Sequence, residues 1–198
     1  MIAGPPGHAV DLLVLACAEA GVTPAFCEMD AAAALALVAE GRAHAAVREA
    51  GAREAGARLR EVAFAEHDVA LVVAAGNPLG LLSVADVART GAHVIAAPSA
   101  AGLAPDVAAA HARSDAAAVA AVAGGHADCA IAGAPTARAA GLDAIPFARA
   151  ATTVAHVRGA EVRDPAVAAL RAALATPGLA AALAAAGYGP PAGVTRAA

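Results

Sequence analysis

The chain has 198 residues, 60% of them hydrophobic, with a net charge of −4 and basic residues that are all arginine. The length suits two lobes of roughly 100 residues, each near the usual domain size. The charge pattern argues against a nucleic-acid surface, because the arginines from Arg42 to Arg60 are interleaved with Glu49, Glu54 and Glu61, which would repel phosphate and read as a solvated helix face.

Much of the hydrophobic share is alanine, with three Phe, one Tyr and no Trp. Small side chains bury little area each, so the core must come from many close contacts, with Leu and Val supplying the volume. Cys17, Cys27 and Cys129 form no CxxC, and so sparse a set fits a reducing compartment. Cys17 and Cys129 lie in apolar runs and read as buried small hydrophobes. No basic residue precedes Arg42, so no signal peptide is read and the cytoplasm is the expected location. The uncharged stretches 69–85 and 172–195 are broken by Asn77-Pro78-Leu79-Gly80 and by Pro177-Gly178, so neither is read as a membrane span.

Strands and helices alternate along the chain. A short strand ending at Ile2-Ala3 leads through Pro5-Pro6-Gly7 to a helix over 8–20, which Gly21 ends. A strand follows over 23–28. Asp30 is placed to cap a helix over 31–40, ended by Gly41. A buried strand is expected over 43–47, while 54–60 receives no assignment because Gly51 and Gly56 interrupt it. Strands over 62–65 and 69–74 come next; the second is a continuous apolar run, as a sheet interior requires. Gly76-Asn77-Pro78 makes a turn, and Ser83 caps a helix over 84–89. After a strand over 93–97, 98–104 is a loop and Pro105 suits the first turn of a helix to about Arg113. Ser114 or Asp115 caps a helix over 116–123, which Gly124-Gly125 ends. A strand over 128–132, a helix over 134–140 and strands over 144–147 and 152–157 follow. Asp164-Pro165 starts a helix to Leu174, and Pro177 starts the last, which ends at Gly187-Tyr188-Gly189. The alternation implies an α/β fold with mainly parallel sheets and helices on both faces.

Four segments carry a resemblance. The run 69–87 joins an apolar strand to Gly76-Asn77-Pro78 and a short helix with Asp86 before an apolar residue. The run 122–132 joins a helix to Gly124-Gly125 and then Ala127-Asp128 and a strand. Gly141-Leu142-Asp143 leads to Ile145-Pro146, and Gly187-Tyr188 closes the last helix. In order and spacing this resembles the type 2 periplasmic-binding-protein-like domains, nearest the molybdate-type domain fused behind a helix-turn-helix in bacterial regulators. The resemblance spans nearly the whole chain. It implies a two-lobed fold, with lobe I over 1–73 plus 151–198 and lobe II over 74–150. It also implies hinge crossings near 73–76 and 149–152, and a ligand cleft between lobes that closes about them. On that footing the chain is expected to be a small-molecule ligand-binding protein, for an oxyanion such as molybdate or tungstate, with no cofactor.

Open α/β sheets bind ligands at the carboxyl ends of their strands, and helix N-termini there offer N–H groups that suit anions. Relatives place hydroxyls in these loops, whereas this sequence mostly lacks them. Gly7 and His8 offer backbone N–H groups and a ring, although Pro5 and Pro6 remove two donors. Asp30 reads as a plain N-cap or, if it faces a ligand, as a group favouring a cation or an amine. Ser99 and Gly102 keep part of a Gly-Ser-Gly-Thr-Arg pattern. Thr136, Thr152 and Thr153 are the other hydroxyls expected near the cleft, each with a cap or strand role as the plainer alternative.

No metal site is read, because no HxxxH, HxH or CxxC spacing ties any pair of ligands to one face, and most histidines are expected on the surface or at helix ends. Enzymes of dehydratase type use this fold with a Thr-Arg-Phe signature, where this chain has Thr152-Thr153-Val154, so catalysis is not expected. No GxSxG, Walker A or GxGxxG is present. A degenerate domain kept for a protein partner, or a homodimer, is the remaining class.

Overall fold

The structure is a computed structural model, and it describes residues 1–49, 58–100, 103 and 110–191. The chain folds into two compact units, Met1–Glu66 with Ala151–Ala198, and His67–Ala150. Two long strands belong to both. Strand β4 (Leu59–Val73) enters the second unit between Glu66 and His67, and β8 (Asp143–Val157) leaves it between Ala150 and Ala151.

In the first unit the strand order is β2-β1-β3-β8. Strands β1 (Ile2–Gly4), β2 (Phe26–Glu28) and β3 (Ala45–Glu49) are parallel, and β8 runs antiparallel to β3, with Arg48 opposite Thr153 and Glu49 opposite Thr152. Successive side chains on a strand point to opposite faces, and both faces here are apolar. Ile2, Ala45, Val47 and Val154 pack against α1 (His8–Glu19), α7 (Pro165–Leu174) and α8 (Pro177–Ala185) through Leu13, Leu170, Leu179 and Leu183. Ala3, Ala46 and Ala155 pack on the other face against Ala34 and Val38 of α2 (Ala31–Ala39). The alanines let α2 lie close to the sheet, which is how a chain so poor in aromatics closes this layer. A short helix, α6 (Ala160–Arg163), carries Glu161, which pairs with Arg60 at 3.0 Å.

The second unit repeats the plan with the order β4-β7-β5-β6. Strands β5 (Val94–Ala96), β6 (Ala110–His111) and β7 (Cys129–Gly133) are parallel, and β4 is antiparallel to β7. Val69, Leu71 and Val73 face Leu81, Val87 on α3 (Val84–Thr90) and Ile131. Val72, Ala130 and Ala132 face Val119 and Val122 on α4 (Asp115–Ala123) and Ala137 on α5 (Ala134–Ala139). Residues Val69 to Val73 are all at most 1% exposed. Each valine or leucine so buried contributes about 1.5–3 kcal/mol.

Several expectations change. The paired strands expected over 62–65 and 69–74, and over 144–147 and 152–157, are each one continuous strand that runs through the intervening residues. The helix expected from Pro105 to Arg113 does not run that far: Ala110 and His111 pair with Ile95 and Ala96 as β6, so a tertiary ladder overrides the helix preference of an alanine-rich run. The start of that helix and residues 54–57 lie outside the described residues, while Leu59 and Arg60 belong to β4. His67 and His156 are buried, at 6% and 0% exposure. Cys17 and Cys129 are buried free thiols, as expected. Among the described residues no single helix is long and apolar enough to cross a membrane; α7 and α8 pass only as a bent pair, and their Leu170, Leu179 and Leu183 are buried in the first unit's core.

Candidate functional site

In each unit the parallel strands end at the same edge as the helix starts that follow them, so the polar groups of that edge are the ones to inspect. In the first unit, β1 leads through Pro5 and Pro6 to α1. Gly4 sits at φ 152, and a Cβ there would lie 2.6 Å from the Val47 carbonyl oxygen, so glycine is what allows β1 to run this close to β3. Gly7 is the N-cap residue, in extended backbone, and offers no side chain to the helix. Its carbonyl oxygen accepts from the N–H groups of Val10 and Asp11. Among the described residues the N–H groups of His8 and Ala9 find no acceptor, as the first turn of a helix leaves them. The His8 ring is exposed and lies 6.3 Å from the ring of buried Tyr188.

The next loop is closed differently. The Asp30 carboxylate accepts from Ala33 N at 2.8 Å and is spent on its own helix α2. At the end of β3, Thr152 and Thr153 are buried and committed to cross-strand partners. Thr152 Oγ1 donates to Glu49 Oε1 at 3.3 Å, and Thr153 Oγ1 donates to the Arg48 carbonyl at 3.3 Å. Buried Arg48 pairs with Glu61 at 3.2 Å. Glu61 itself reaches solvent, so the pair matters mainly to Arg48, whose buried guanidinium would lose this partner if Glu61 were removed.

The second unit brings more polar groups together. Strand β5 ends in a 3-10 turn, Pro98–Ala100, that buries Ser99. Strand β6 leads to α4, whose N-cap is Ser114, with its hydroxyl accepting from Ala117 N. Because Ser114 does the capping, Asp115 in the first helical turn is left to reach across. Ser99 Oγ donates to Asp115 Oδ1 at 2.6 Å, and Gly133 N, at the end of β7, donates to Asp115 Oδ2 at 2.8 Å. The approach is tight: a Cβ on Gly133 would lie 2.5 Å from Asp115 Oδ2 and 3.1 Å from the His67 ring. Burial pushes the His67 pKa below its ordinary value, and the nearby Asp115 and Asp68 carboxylates oppose that shift. Asp68 is itself paired with Arg149 at 3.4 Å. Thr136 stands in the short helix α5 that follows Gly133 and is half-buried. Gly102 lies outside the described residues.

So of the residues singled out in sequence, Gly7 and His8 meet at one helix start, Asp30 and the two threonines are engaged in structural hydrogen bonds, and Ser99 joins a cluster. Asp115, His67 and Gly133 complete that cluster and were not anticipated. Among the described residues, no group of three or more His, Cys, Asp or Glu side chains is arranged to hold a metal ion. The second unit also has a cavity of about 230 Å³ lined by Val73, Asn77, Leu79, Leu81, Val122 and Asp128. It lies at the amino end of β7, where Val73 pairs with Cys129, and so at the other end of the sheet from the Asp115 cluster.

No protein-family model matches the sequence, and no curated protein matches it. Solved structures do match its fold. An ABC-type phosphate transport receptor from Vibrio cholerae superposes with a TM-score of 0.70 at 16% identity, covering 96% of this chain and 99% of that one. The reduced form of OxyR from N. meningitidis gives 0.67 at 15% identity, covering 96% of each chain. A histidine kinase sensor domain with similarity to periplasmic binding proteins gives 0.62 at 15% identity, again covering 96% of each. The chain therefore has the α/β fold of the type 2 periplasmic-binding-protein-like domains, as the sequence motifs implied. At these identities the likeness establishes the fold alone.

Proposed function

We propose that this chain is a ligand-binding domain that takes a small polar molecule reversibly and performs no chemistry on it. One observation carries the reading: polar groups stand at the carboxyl ends of the parallel strands in both units, the His8 and Ala9 N–H groups in the first and the Ser99–Asp115–Gly133 cluster in the second, where open α/β sheets bind ligands. The receptors, sensor and regulators among the fold neighbours support it.

The geometry also speaks to the ligand's chemistry. In the second unit the edge presents a carboxylate, Asp115, with two hydrogen bonds already accepted. A carboxylate has about four acceptor positions, so it can take further donors such as an amine, amide or hydroxyl. The cation-accepting role considered for Asp30 passes to Asp115, because Asp30 is occupied with its helix. A second reading, an oxyanion such as molybdate or tungstate, is favoured by the open N–H groups of His8 and Ala9 in the first unit.

Thermal unfolding against a panel of amines, amino acids, sugars, small carboxylates, phosphate, sulfate, molybdate and tungstate tests both. A ligand at about 100 times its Kd stabilises by about 2.7 kcal/mol, a shift of several degrees at this size. A shift with donor-bearing molecules that Asp115→Asn weakens supports the first reading. A shift with molybdate or tungstate alone supports the second. A flat response to the whole panel removes the ligand-binding proposal.

A further inference from the structure

The Asp115 cluster has the make-up of an anion site that is already full. Groups from three separate segments surround one carboxylate: the Ser99 hydroxyl from the turn after β5 and the Gly133 N–H from the end of β7 donate to it, and the His67 ring from β4 lies near enough to feel its charge. All three are buried, Ser99 at 7% and His67 at 6% exposure. The carboxylate is not needed by its own helix, which Ser114 caps. Nor is the site roomy around it, since Gly133 has no space for a methyl group on the side of Asp115 Oδ2.

We propose that Asp115 is a tethered ligand: its carboxylate occupies, from within the chain, an anion seat formed by Ser99, Gly133 and His67, and so bars free carboxylates and oxyanions from this edge of the second unit. The inference rests on the reading of the strand ends as the binding edge. A second negative charge brought within a few ångströms of Asp115 would meet strong repulsion in a partly buried place. It would also find the Ser99 and Gly133 protons already given away. The seat therefore acts as a specificity filter that excludes anions and leaves Asp115 to meet donors.

The test uses the full chain and formate as the probe, with chloride at matched ionic strength as the reference. Asp115→Ala empties the seat. It is expected to unfold at a lower temperature than the parent and to recover stability as formate is added, with formate affinity at least roughly tenfold (about 1.4 kcal/mol) above that of the parent chain. Asp115→Asn, which keeps a carbonyl acceptor for Gly133, is expected to show no such recovery. The parent is expected to be indifferent to formate. If Asp115→Ala is folded and equally indifferent, or if the parent responds as steeply, the proposal is overturned. A folding failure of the alanine variant does not protect it: in the isotope-labelled parent, the Gly133 amide resonance is expected to stay fixed as formate replaces chloride, and a formate-dependent shift of that amide overturns the proposal as well. Because formate is only a probe of the seat, these outcomes are separate from whether any molecule of the panel above binds.

Discussion

Gly133→Ala isolates the geometry on which the second-unit cluster depends. Gly133 sits at φ −63 and ψ 127, a conformation any residue adopts, so the substitution introduces no backbone strain. By itself it would stabilise by about 0.4–1 kcal/mol through a less flexible unfolded chain. Against this, the new Cβ would lie 2.5 Å from Asp115 Oδ2, with the His67 ring atoms at 3.1 and 3.3 Å. The carboxylate must retreat by roughly 0.5 Å or more to reach tolerable contact, which pulls it off the Gly133 N–H that now donates at 2.8 Å. Losing a hydrogen bond to a charged acceptor costs about 1.5–3 kcal/mol. The expected net loss is about 1–2 kcal/mol, read as a lower midpoint in equilibrium urea unfolding followed by circular dichroism. In an Asp115→Ala background the clashing oxygen is gone, so the same substitution is expected to cost much less, and the difference is the coupling between the two positions. A Gly133→Ala variant as stable as the parent, or a cost unchanged by Asp115→Ala, refutes the reasoning.

Three further outcomes follow from the same structure. Burial lowers the His67 pKa below the ordinary 6.5, so the folded state favours the neutral ring; stability is then fully present above about 6.5 and is lost as pH falls through that value toward the lower folded pKa. His67→Gln is expected to flatten this acid limb in urea midpoints taken between about pH 5 and 7, and an unchanged slope contradicts the burial argument. Asp30→Ala should cost about 1 kcal/mol of stability through the lost cap on α2, with Asp30→Asn nearly neutral and ligand affinity untouched; loss of affinity without loss of stability would return Asp30 to the binding edge. Burial pushes the Cys129 thiol up to about 11 and raises Cys17 as well, so a thiol reagent on the native protein should label half-buried Cys27 first. Early modification of Cys129 would mean that β7 opens far more easily than its burial implies.

The fold was largely legible because its signals are local. Asp30 before an alanine-rich run marked α2, Ser83 marked α3, Asp164-Pro165 marked α7, and each is the observed N-cap or first turn. The uninterrupted apolar run at Val69 to Val73 marked a strand covered on both faces. What failed depends on partners distant in sequence. β6 exists only because Ala110 and His111 pair with β5, and nothing local opposes a helix there. The polar stretch Glu66-His67-Asp68 looked like a break between two strands, yet the strand continues through it.

The site was less legible for the same reason. Ser99 was visible as a lone hydroxyl in a loop, but its partner Asp115 lies 16 residues away and stood beside Ser114, an equally good cap. Once Ser114 is assigned as the cap, Asp115 becomes a spare carboxylate, and that is the one local hint the sequence contained. Gly133 carried no local signal of its own, and only the 2.5 Å approach shows why a side chain is excluded there. Thr152 and Thr153 carried the right chemistry for a binding loop, but their positions opposite Glu49 and Arg48 turned both hydroxyls into cross-strand donors.

The central claim is that ligand meets this chain at the carboxyl ends of its parallel strands. Amide chemical shifts of the labelled full chain, followed while the best stabilising molecule of the panel is titrated in, test it most directly. The account predicts that the largest shifts fall at His8 and Ala9, at Ser99, Asp115 and Gly133, or at both sets. Shifts confined to Val73, Asn77 and Asp128, around the cavity at the amino end of β7, would contradict it.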